Sequence, residues 1–417
     1  MTAPVRRLAA RAVGFYSVAD LVPLYAVYAL LFRDSGLSAA EVSSLLVIWS
    51  VTAFVMEVPS GAWADTVSRR ALLVLSALLN AAAFSTWIVA PSYPGFAAGF
   101  VLWGVGNALM SGTFEALLYD ELAALDADGQ YARVSGWANS GSMIATLVAT
   151  IAAAPLFSLG GYPLLGWVSV AVAVGQAVIA AGLPVAARVA ESDETGDITA
   201  DGTAEGTGGV LRRYLAMLRA GVAEVTRERL VRRGVLLVAL VTGLLAFDEY
   251  FPLVAREQGA GIDQIPLLLA LTIVGQAIGT SLAGRTAGMR GRTIAGALVV
   301  AAASMAWGVY AGGWLGFAAL GAGYGVAANV MIVIEARVQD AVRGPARATV
   351  TSVAGLASET FAVAVFAGFA IGSAWVTTSV MAMALMVPLA LVAGCVPRWL
   401  PPRGRRASPN AAADSRR

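Results

Sequence analysis

Seven acidic side chains sit inside or at the edges of long apolar stretches: Asp20, Glu57, Glu115, Asp248, Glu249, Glu335 and Glu359. A charge near the centre of a lipid bilayer costs about 2.5–3.5 kcal/mol on insertion scales, so such carboxylates mark a path for protons, ions or solutes. The remaining inventory narrows the chemistry. There is no His and Cys395 is the only Cys, which excludes an imidazole or thiolate metal site, a Cys/His nucleophile pair and an internal disulfide. All 28 basic residues are Arg. Without Lys no Gly-x-x-x-x-Gly-Lys phosphate loop can form, so the chain does not power itself with ATP. No enzyme activity, cofactor or metal is expected, and proton handling falls to the carboxylates.

A second cluster is Gly61-Ala-Trp-Ala-Asp65-Thr-Val-Ser-Arg69-Arg70, a short charged turn between two apolar runs. Gly61 permits close helix approach, Asp65 is an anion that a helix N-terminus attracts, and Arg69 and Arg70 place fixed cations at the headgroup boundary. Retaining positive charge on the inner side would not by itself require the Asp. The pattern reads as a latch governing how neighbouring spans move. The plainer alternative is a pair of arginines that fix topology.

The elements that must position these groups follow from composition. With 58% hydrophobic and 13% charged residues, the 417-residue chain cannot cover itself with polar surface, and the bilayer is its solvent. A helix crossing about 30 Å of hydrocarbon needs roughly 20 mainly apolar residues. Twelve such windows occur, at 12–32, 41–63, 71–90, 96–119, 134–157, 162–183, 234–255, 265–283, 293–312, 314–336, 348–372 and 374–397. An inside N-terminus leaves only Arg33 and Arg256 in external loops, so both termini are expected in the cytoplasm of a cell with the chain in its inner membrane. Arg6, Arg7 and Arg11 precede a run too long for a signal peptide and without a small-residue cleavage pattern, which is read as a retained span. The net charge of +2 is mostly topology and points to no nucleic-acid partner.

Residues 191–209 are acidic, Gly/Thr-rich and aperiodic, as a flexible linker is. After them Leu211, Leu215, Leu218, Val222 and Val225 recur at helical spacing, predicting an amphipathic helix at the headgroups. The expected organisation is a six-helix bundle over 1–190, a cytoplasmic linker with that helix over 191–232, a second six-helix bundle over 233–397, and a basic tail over 398–417. An internal repeat supports two halves. Glu115-Ala-Leu-Leu-Tyr-Asp120 is echoed by Glu335-Ala-Arg-Val-Gln-Asp340 at the end of the fourth span of each half. Arg133 and Gly141 are matched by Arg347 and Gly355, and Asp20-Leu-Val-Pro23-Leu offers a further echo of Glu249-Tyr-Phe-Pro252-Leu.

Twelve spans, a six-plus-six repeat, a long central segment and Gly61-x-x-x-Asp65-x-x-x-Arg69-Arg70 together resemble the major facilitator superfamily, and in particular its drug:proton antiporter branch. Ser68 replaces the second glycine of the family's loop motif. The resemblance implies an all-α polytopic membrane protein, two pseudo-symmetric six-helix bundles that expose a central cavity alternately to each side, and a monomer. It also implies that Asp65 meets the start of span 11, near Arg347 to Thr351, and that Asp120 pairs with Arg69 or Arg70. The matching loop of the second half, with Gly279, Gly284, Arg285, Arg290 and Arg292, has no acid, so the latch is asymmetric. Span 4 lacks the Arg, and span 5 the Gly-Pro signature, common in the exporter branch.

The acids then differ by depth. Asp20 lies about 12 Å from the inner end at 1.5 Å per residue, near the midplane, and is the first choice for proton or cation binding, with a static hydrogen bond to a neighbouring helix as its alternative. Glu359 is second; Asp248 and Glu249 line the outer cavity or sit near the external headgroups. Glu57, Glu115 and Glu335 lie toward the inner face, where pairing with arginines is expected. No Arg falls mid-span, which disfavours phosphorylated substrates. Tyr16, Tyr25, Tyr28, Trp49, Trp103, Trp137, Tyr250, Phe251 and Tyr324 lie on spans that would face the cavity and could hold lipophilic or cationic groups, although many membrane aromatics serve packing or interfacial anchoring. The expected function is proton-coupled efflux of a lipophilic neutral or cationic small molecule. A proton-driven importer or facilitator, or a non-transporting sensor, remain alternatives.

Overall fold

The computed structural model describes residues 1–184, 228–342 and 346–401, apart from the side chains of Val58, Ala62, Asp65 and residues 346–349. The expected linker, its amphipathic helix from Leu211 and most of the basic tail lie outside the described residues. Among the described residues all regular structure is helical. In hydrocarbon this is what the backbone requires, because every N–H and C=O must find its partner within the segment. Ten helices among the described residues are long and apolar enough to cross a membrane, and a shorter apolar helix spans Ile265–Ser281.

The first half runs α1 (Ala3–Ala19), a 3-10 turn (Pro23–Ala26), α2 (Tyr28–Asp34), α3 (Ala39–Thr66), α4 (Arg69–Val89), α5 (Tyr93–Met110), α6 (Thr113–Ala123) and α7 (Tyr131–Ala181). Local chemistry explains the punctuation. Pro23 has no N–H and its ring crowds the carbonyl four residues back, so α1 stops at Ala19. Ser38 and Glu41 form a reciprocal capping box that starts α3. Gly112, at φ +42°, breaks the fourth apolar run into α5 and α6. The 51-residue α7 is interrupted at Gly160 and Gly161, where φ of +60° at Gly161 turns the chain between two apolar legs. That break falls in the gap expected between spans 5 and 6.

The second half runs α8 (Arg229–Leu245), a 3-10 turn (Ala246–Tyr250), α9 (Phe251–Glu257), α10 (Ile265–Ser281), α11 (Ala283–Thr286), α12 (Gly291–Ala311), α13 (Gly313–Ala341), α14 (Ala346–Gly372) and α15 (Thr378–Trp399). Its opening repeats that of the first half. Each begins with a 17-residue helix, breaks in a 3-10 turn and resumes as a 7-residue helix. The sequence echo of Asp20 with Glu249 is nevertheless out of step. Asp20 caps the end of α1, whereas Glu249 lies in the turn just before α9. Pro23 opens its 3-10 turn, while Pro252 sits in the first turn of α9, where a missing N–H costs nothing.

By contact the chain forms two compact units. One comprises the described first half together with 249–273 and 366–379; the other comprises the remaining described residues. Within the first, α1 and α4 pack on α7, and α5 packs on α3 and α4. Phe15, Leu73, Leu118, Leu122 and Val134 are fully excluded from the surface there. In the second unit α13 packs on α12 and α8. Backbones touch where glycines face each other: a Cβ on Gly275 would lie 2.1 Å from the Gly321 carbonyl oxygen, and one on Gly279 only 1.9 Å from that of Gly325. Small residues of this kind let membrane helices approach without a hydrophobic driving force between them. Large apolar side chains such as Leu159, Val178 and Leu391 stay outside, as a surface solvated by lipid tails allows.

Candidate functional site

The break after α1 opens one wall of a cavity of about 290 Å³ inside the first unit. Asp20 reaches it from the C-cap of α1, Asn80 from α4, Asn107 from α5 and Glu115 from the first turn of α6. The Ser142 hydroxyl on α7 donates to Asp20 Oδ2. This bond ties the interrupted helix to α7, and it supplies a donor to the carboxylate while leaving its other oxygen for a ligand or proton. Two stacked rings close the cavity on one side: Tyr25 and Trp103 have centroids 5.0 Å apart and planes within 25°. Trp49 continues the stack at 5.3 Å from Trp103. Tyr16, also in the lining, packs 4.8 Å from Phe114.

Glu115 corrects an expectation. Neither it nor its repeat partner Glu335 forms an ion pair among the described residues. Because Gly112 restarts the helix, Glu115 falls in the first turn of α6, where exposed N–H groups favour a carboxylate without any Arg. Glu335 lines a separate cavity of about 320 Å³ in the second unit, with Glu359, Thr242, Gln339 and Ser358. There Gln339 Nε2 lies 3.4 Å from Glu335 Oε1. Glu335 and Glu359 are thus brought together, as are Asp20, Tyr16 and Glu115 in the first unit.

The turn of the second half holds Asp248 and Glu249, and each has a tyrosine partner. Tyr324 on α13 donates to Asp248 Oδ2 at 2.7 Å. Tyr28, at the start of α2, donates to Glu249 Oε2. Close by, Tyr250 donates to Ser43 at 2.8 Å and stacks on Phe369, centroids 3.9 Å apart. At the far end of α2, Asp34 accepts from Tyr162 at 2.6 Å and lies 3.6 Å from Arg256. The first unit therefore carries a chain of polar contacts joining α2, α3 and α9.

The segment from Gly61 to Arg70 is less of a loop than its charges suggest. Helix α3 continues through Thr66 and α4 starts at Arg69, so only Val67 and Ser68 form the turn. A Cβ on Gly61 would meet nothing within 4 Å, so close helix approach is not the reason for that glycine. Arg69 Nη1 meets Asp120 Oδ2 on α6, and Arg70 Nη1 lies 3.4 Å from the Leu183 carbonyl oxygen. Asp65 and Arg347 have side chains outside the described set, and the expected contact between Asp65 and span 11 falls there with them. Asp340 is exposed near the end of α13.

Trp137 stands apart from the cavity, with 48% of its surface exposed on α7. Conversely, Ser142 joins the site without having been singled out. A serine in Asn139-Ser-Gly-Ser142 carries no signal of a partner 122 residues earlier in the chain. Asn80 likewise joins the site without having been singled out. It is 5% exposed and in the cavity wall.

The fold has counterparts among known proteins. The family profile described as Major Facilitator Superfamily matches residues 12–367. No curated protein sequence matches the chain. Among solved structures, the nucleoside transporter NupG superposes with a TM-score of 0.72 at 11% identity, covering 95% of this chain and 98% of that one. The POT family transporter PepTSo gives 0.69 at 11% identity, with 95% and 97% covered. A D-xylose-proton symporter gives 0.63 at 17% identity, with 95% and 98% covered. Identities this low speak to the fold alone, but the profile spans most of the sequence: the chain is a multi-pass membrane protein and belongs to the Major Facilitator Superfamily.

Proposed function

We propose that the chain is a secondary active transporter that exports a lipophilic neutral or cationic small molecule in exchange for protons, with Asp20 as the coupling carboxylate. The observation that carries this reading is the placement of Asp20. It caps an interrupted membrane helix, holds the Ser142 hydroxyl and lines a cavity that has aromatic rings on another wall. Broken helices at matching positions of two repeats are where membrane carriers build their sites. In this reading the two legs of α7 and the short α10 each cross the bilayer, giving twelve spans in two six-helix bundles. The termini are cytoplasmic, the protein sits in the cell's inner membrane as a monomer, and Arg69 with Asp120 belongs to a cytoplasmic latch that also includes Gly61, Asp65 and Arg70.

Glu359, Asp248 and Glu249 are assigned to the solute path in the second half, each through the cavity or tyrosine contact that it makes. The second reading is a proton-driven importer or facilitator of a small metabolite. It is favoured by the nucleoside, peptide and sugar transporters that share the fold.

The test is accumulation of fluorescent lipophilic cations and neutral dyes in efflux-deficient bacteria carrying empty vector, wild type or Asp20→Asn, with and without a protonophore. Lower accumulation in wild-type cells, abolished by the substitution and by the protonophore, is the expected result. Wild-type cells that match empty vector for every dye, despite confirmed membrane expression, remove the export reading and make a metabolite uptake screen the next step.

A further inference from the structure

We infer that the cavity of about 320 Å³ in the second unit holds an unbranched aliphatic dication, with one ammonium group at Glu335 and the other at Glu359. The inference deepens the transport reading by narrowing its cationic solute to a diamine, and rests on that reading for the step from binding to movement. Its starting point is two carboxylates without a cation. Among the described residues Glu359 has no hydrogen-bond or ion-pair partner, and Glu335 meets only the Gln339 amide nitrogen, at 3.4 Å. Both glutamates are partly exposed in the cavity wall and neither is among the polar atoms sealed inside the protein, so an occupant reaches their oxygens. A carboxylate on a membrane helix is costly to leave uncompensated, and such acids mark the paths of ions and solutes.

The rest of the wall sets the sign. No basic side chain is among its described residues. The helix ends do not tip the balance: α13 brings its carbonyl end, with Val338 and Val342, and α14 its early turns, with Val350 and Thr351, so the two offset each other. The two glutamates therefore decide the charge of the occupant. One positive charge would leave the second carboxylate uncompensated in the same cavity.

Spacing and lining then select a diamine. Counted at about 1.5 Å per residue from Ala341 and Ala346, the helix ends that are neighbours in the chain, Glu335 lies about 9 Å along α13 and Glu359 about 20 Å along α14. An offset of about 10 Å is too wide for one metal ion, which holds its oxygens at about 2.0–2.6 Å. An extended chain advances about 3.6 Å for every three bonds, so the seven bonds between the nitrogens of 1,6-diaminohexane reach about 8 Å, and the glutamate side chains span the rest. The volume agrees, being roughly ten times the share of one water in the liquid. Val238, Met331, Val338, Val342 and Val350 give the methylenes an aliphatic surface, and the described lining has no aromatic ring to hold a flat or quaternary cation. Acceptors for the ammonium N–H groups stand beside the acids. Gln339 gives its amide nitrogen to Glu335 and keeps its carbonyl oxygen, while Ser358 donates to the Ala354 carbonyl at 2.9 Å and keeps its lone pairs.

The experiment uses the purified full chain in phosphatidylcholine nanodiscs, whose lipid carries no net charge, titrated by calorimetry with 1,6-diaminohexane and with 1-aminohexane. Wild type is expected to bind the diamine at least about tenfold more tightly than the monoamine, the low end for one hydrogen bond between charged groups. Glu335→Gln and Glu359→Gln each leave one carboxylate, so in either variant the diamine should fall to within about threefold of the monoamine. A smaller preference in wild type, binding of neither amine, or a larger preference retained in either variant at unchanged melting temperature overturns the inference. Should the variants not fold, the wild-type comparison decides alone. Transport is read separately: a diamine that binds with this preference while no amine or dye is moved leaves the inference standing and removes the transport reading. Dye export that needs Asp20, with no diamine bound, does the reverse.

Discussion

Replacing Gly279 by Ala adds one methyl group where α10 meets α13, and the structure fixes what that methyl must displace. Its carbon would lie 1.9 Å from the Gly325 carbonyl oxygen, against 3.4 Å for ordinary contact, so the two helices must part locally by about 1.5 Å. Overpacking of this kind typically costs about 1–3 kcal/mol. The separation also stretches the bond from Asn329 Nδ2 to the Gly279 carbonyl, now 2.8 Å, and with it the bond from Thr286 to Asn329 Oδ1 at 2.9 Å. Interhelical hydrogen bonds in membranes average about 0.6 kcal/mol each, which brings the expected loss to about 2–4 kcal/mol. The assay is reversible unfolding of the purified protein in mixed micelles, followed by tryptophan fluorescence, with Gly296→Ala on α12 as control. A Cβ at Gly296 would meet nothing within 4 Å, so that variant should be neutral or slightly stabilising. If Gly279→Ala and Gly296→Ala unfold alike, the close approach of these backbones is not what holds α10 in place, and the packing argument fails.

Three further outcomes follow from single contacts. Trp87→Phe removes the indole N–H that donates to the Phe96 carbonyl at 3.1 Å from a fully buried position, and should cost about 1–3 kcal/mol in the same unfolding assay. Glu257 accepts from the backbone N–H groups of Thr378 and Ser379, at 2.8 Å each, and so caps α15; Glu257→Ala should cost about 0.5–2 kcal/mol, readable as faster amide exchange in the first turn of that helix. A double-mutant cycle on Arg69 and Asp120 should give a stability coupling no larger than about 1 kcal/mol, because the Asp120 carboxylate is half exposed. A larger coupling would make the pair a fastener of the resting fold rather than a contact that is cheap to break during a transport cycle.

Much of the helical plan is written in the sequence because hydrocarbon allows so little else. The apolar windows anticipate the turn at Gly160 and Gly161, whereas the window from 12 to 32 reads as one span although the structure breaks it at Pro23. The second break is harder to see, since Pro252 follows it and the 3-10 turn at Ala246–Tyr250 contains no residue that forbids a helix. The site is legible in kind but not in geometry. Asp20 stands out by charge, yet its bond to Ser142 and the place of Asn80 in the cavity wall depend on which helices become neighbours. A one-dimensional pattern does not contain that information. Glu115 shows the same limit at close range. The window from 96 to 119 reads as one span, and only the backbone at Gly112 turns this glutamate from an expected ion-pair partner into a cavity wall.

The distance in sequence between Asp20 and Ser142 also has a consequence in time. The two are 122 residues apart. At a synthesis rate of about 5–20 residues per second, roughly 6–24 seconds pass between their leaving the ribosome. For that interval the acid of the first span must be held by water, lipid headgroups or an insertion factor. Glu249 has no such wait, because its partner Tyr28 is already in the membrane when it arrives. Asp248 waits as well, but over the 76 residues to Tyr324 rather than 122, so Asp20 is the longer exposed of the two, and damage to Ser142 would be felt during biogenesis before any solute is carried.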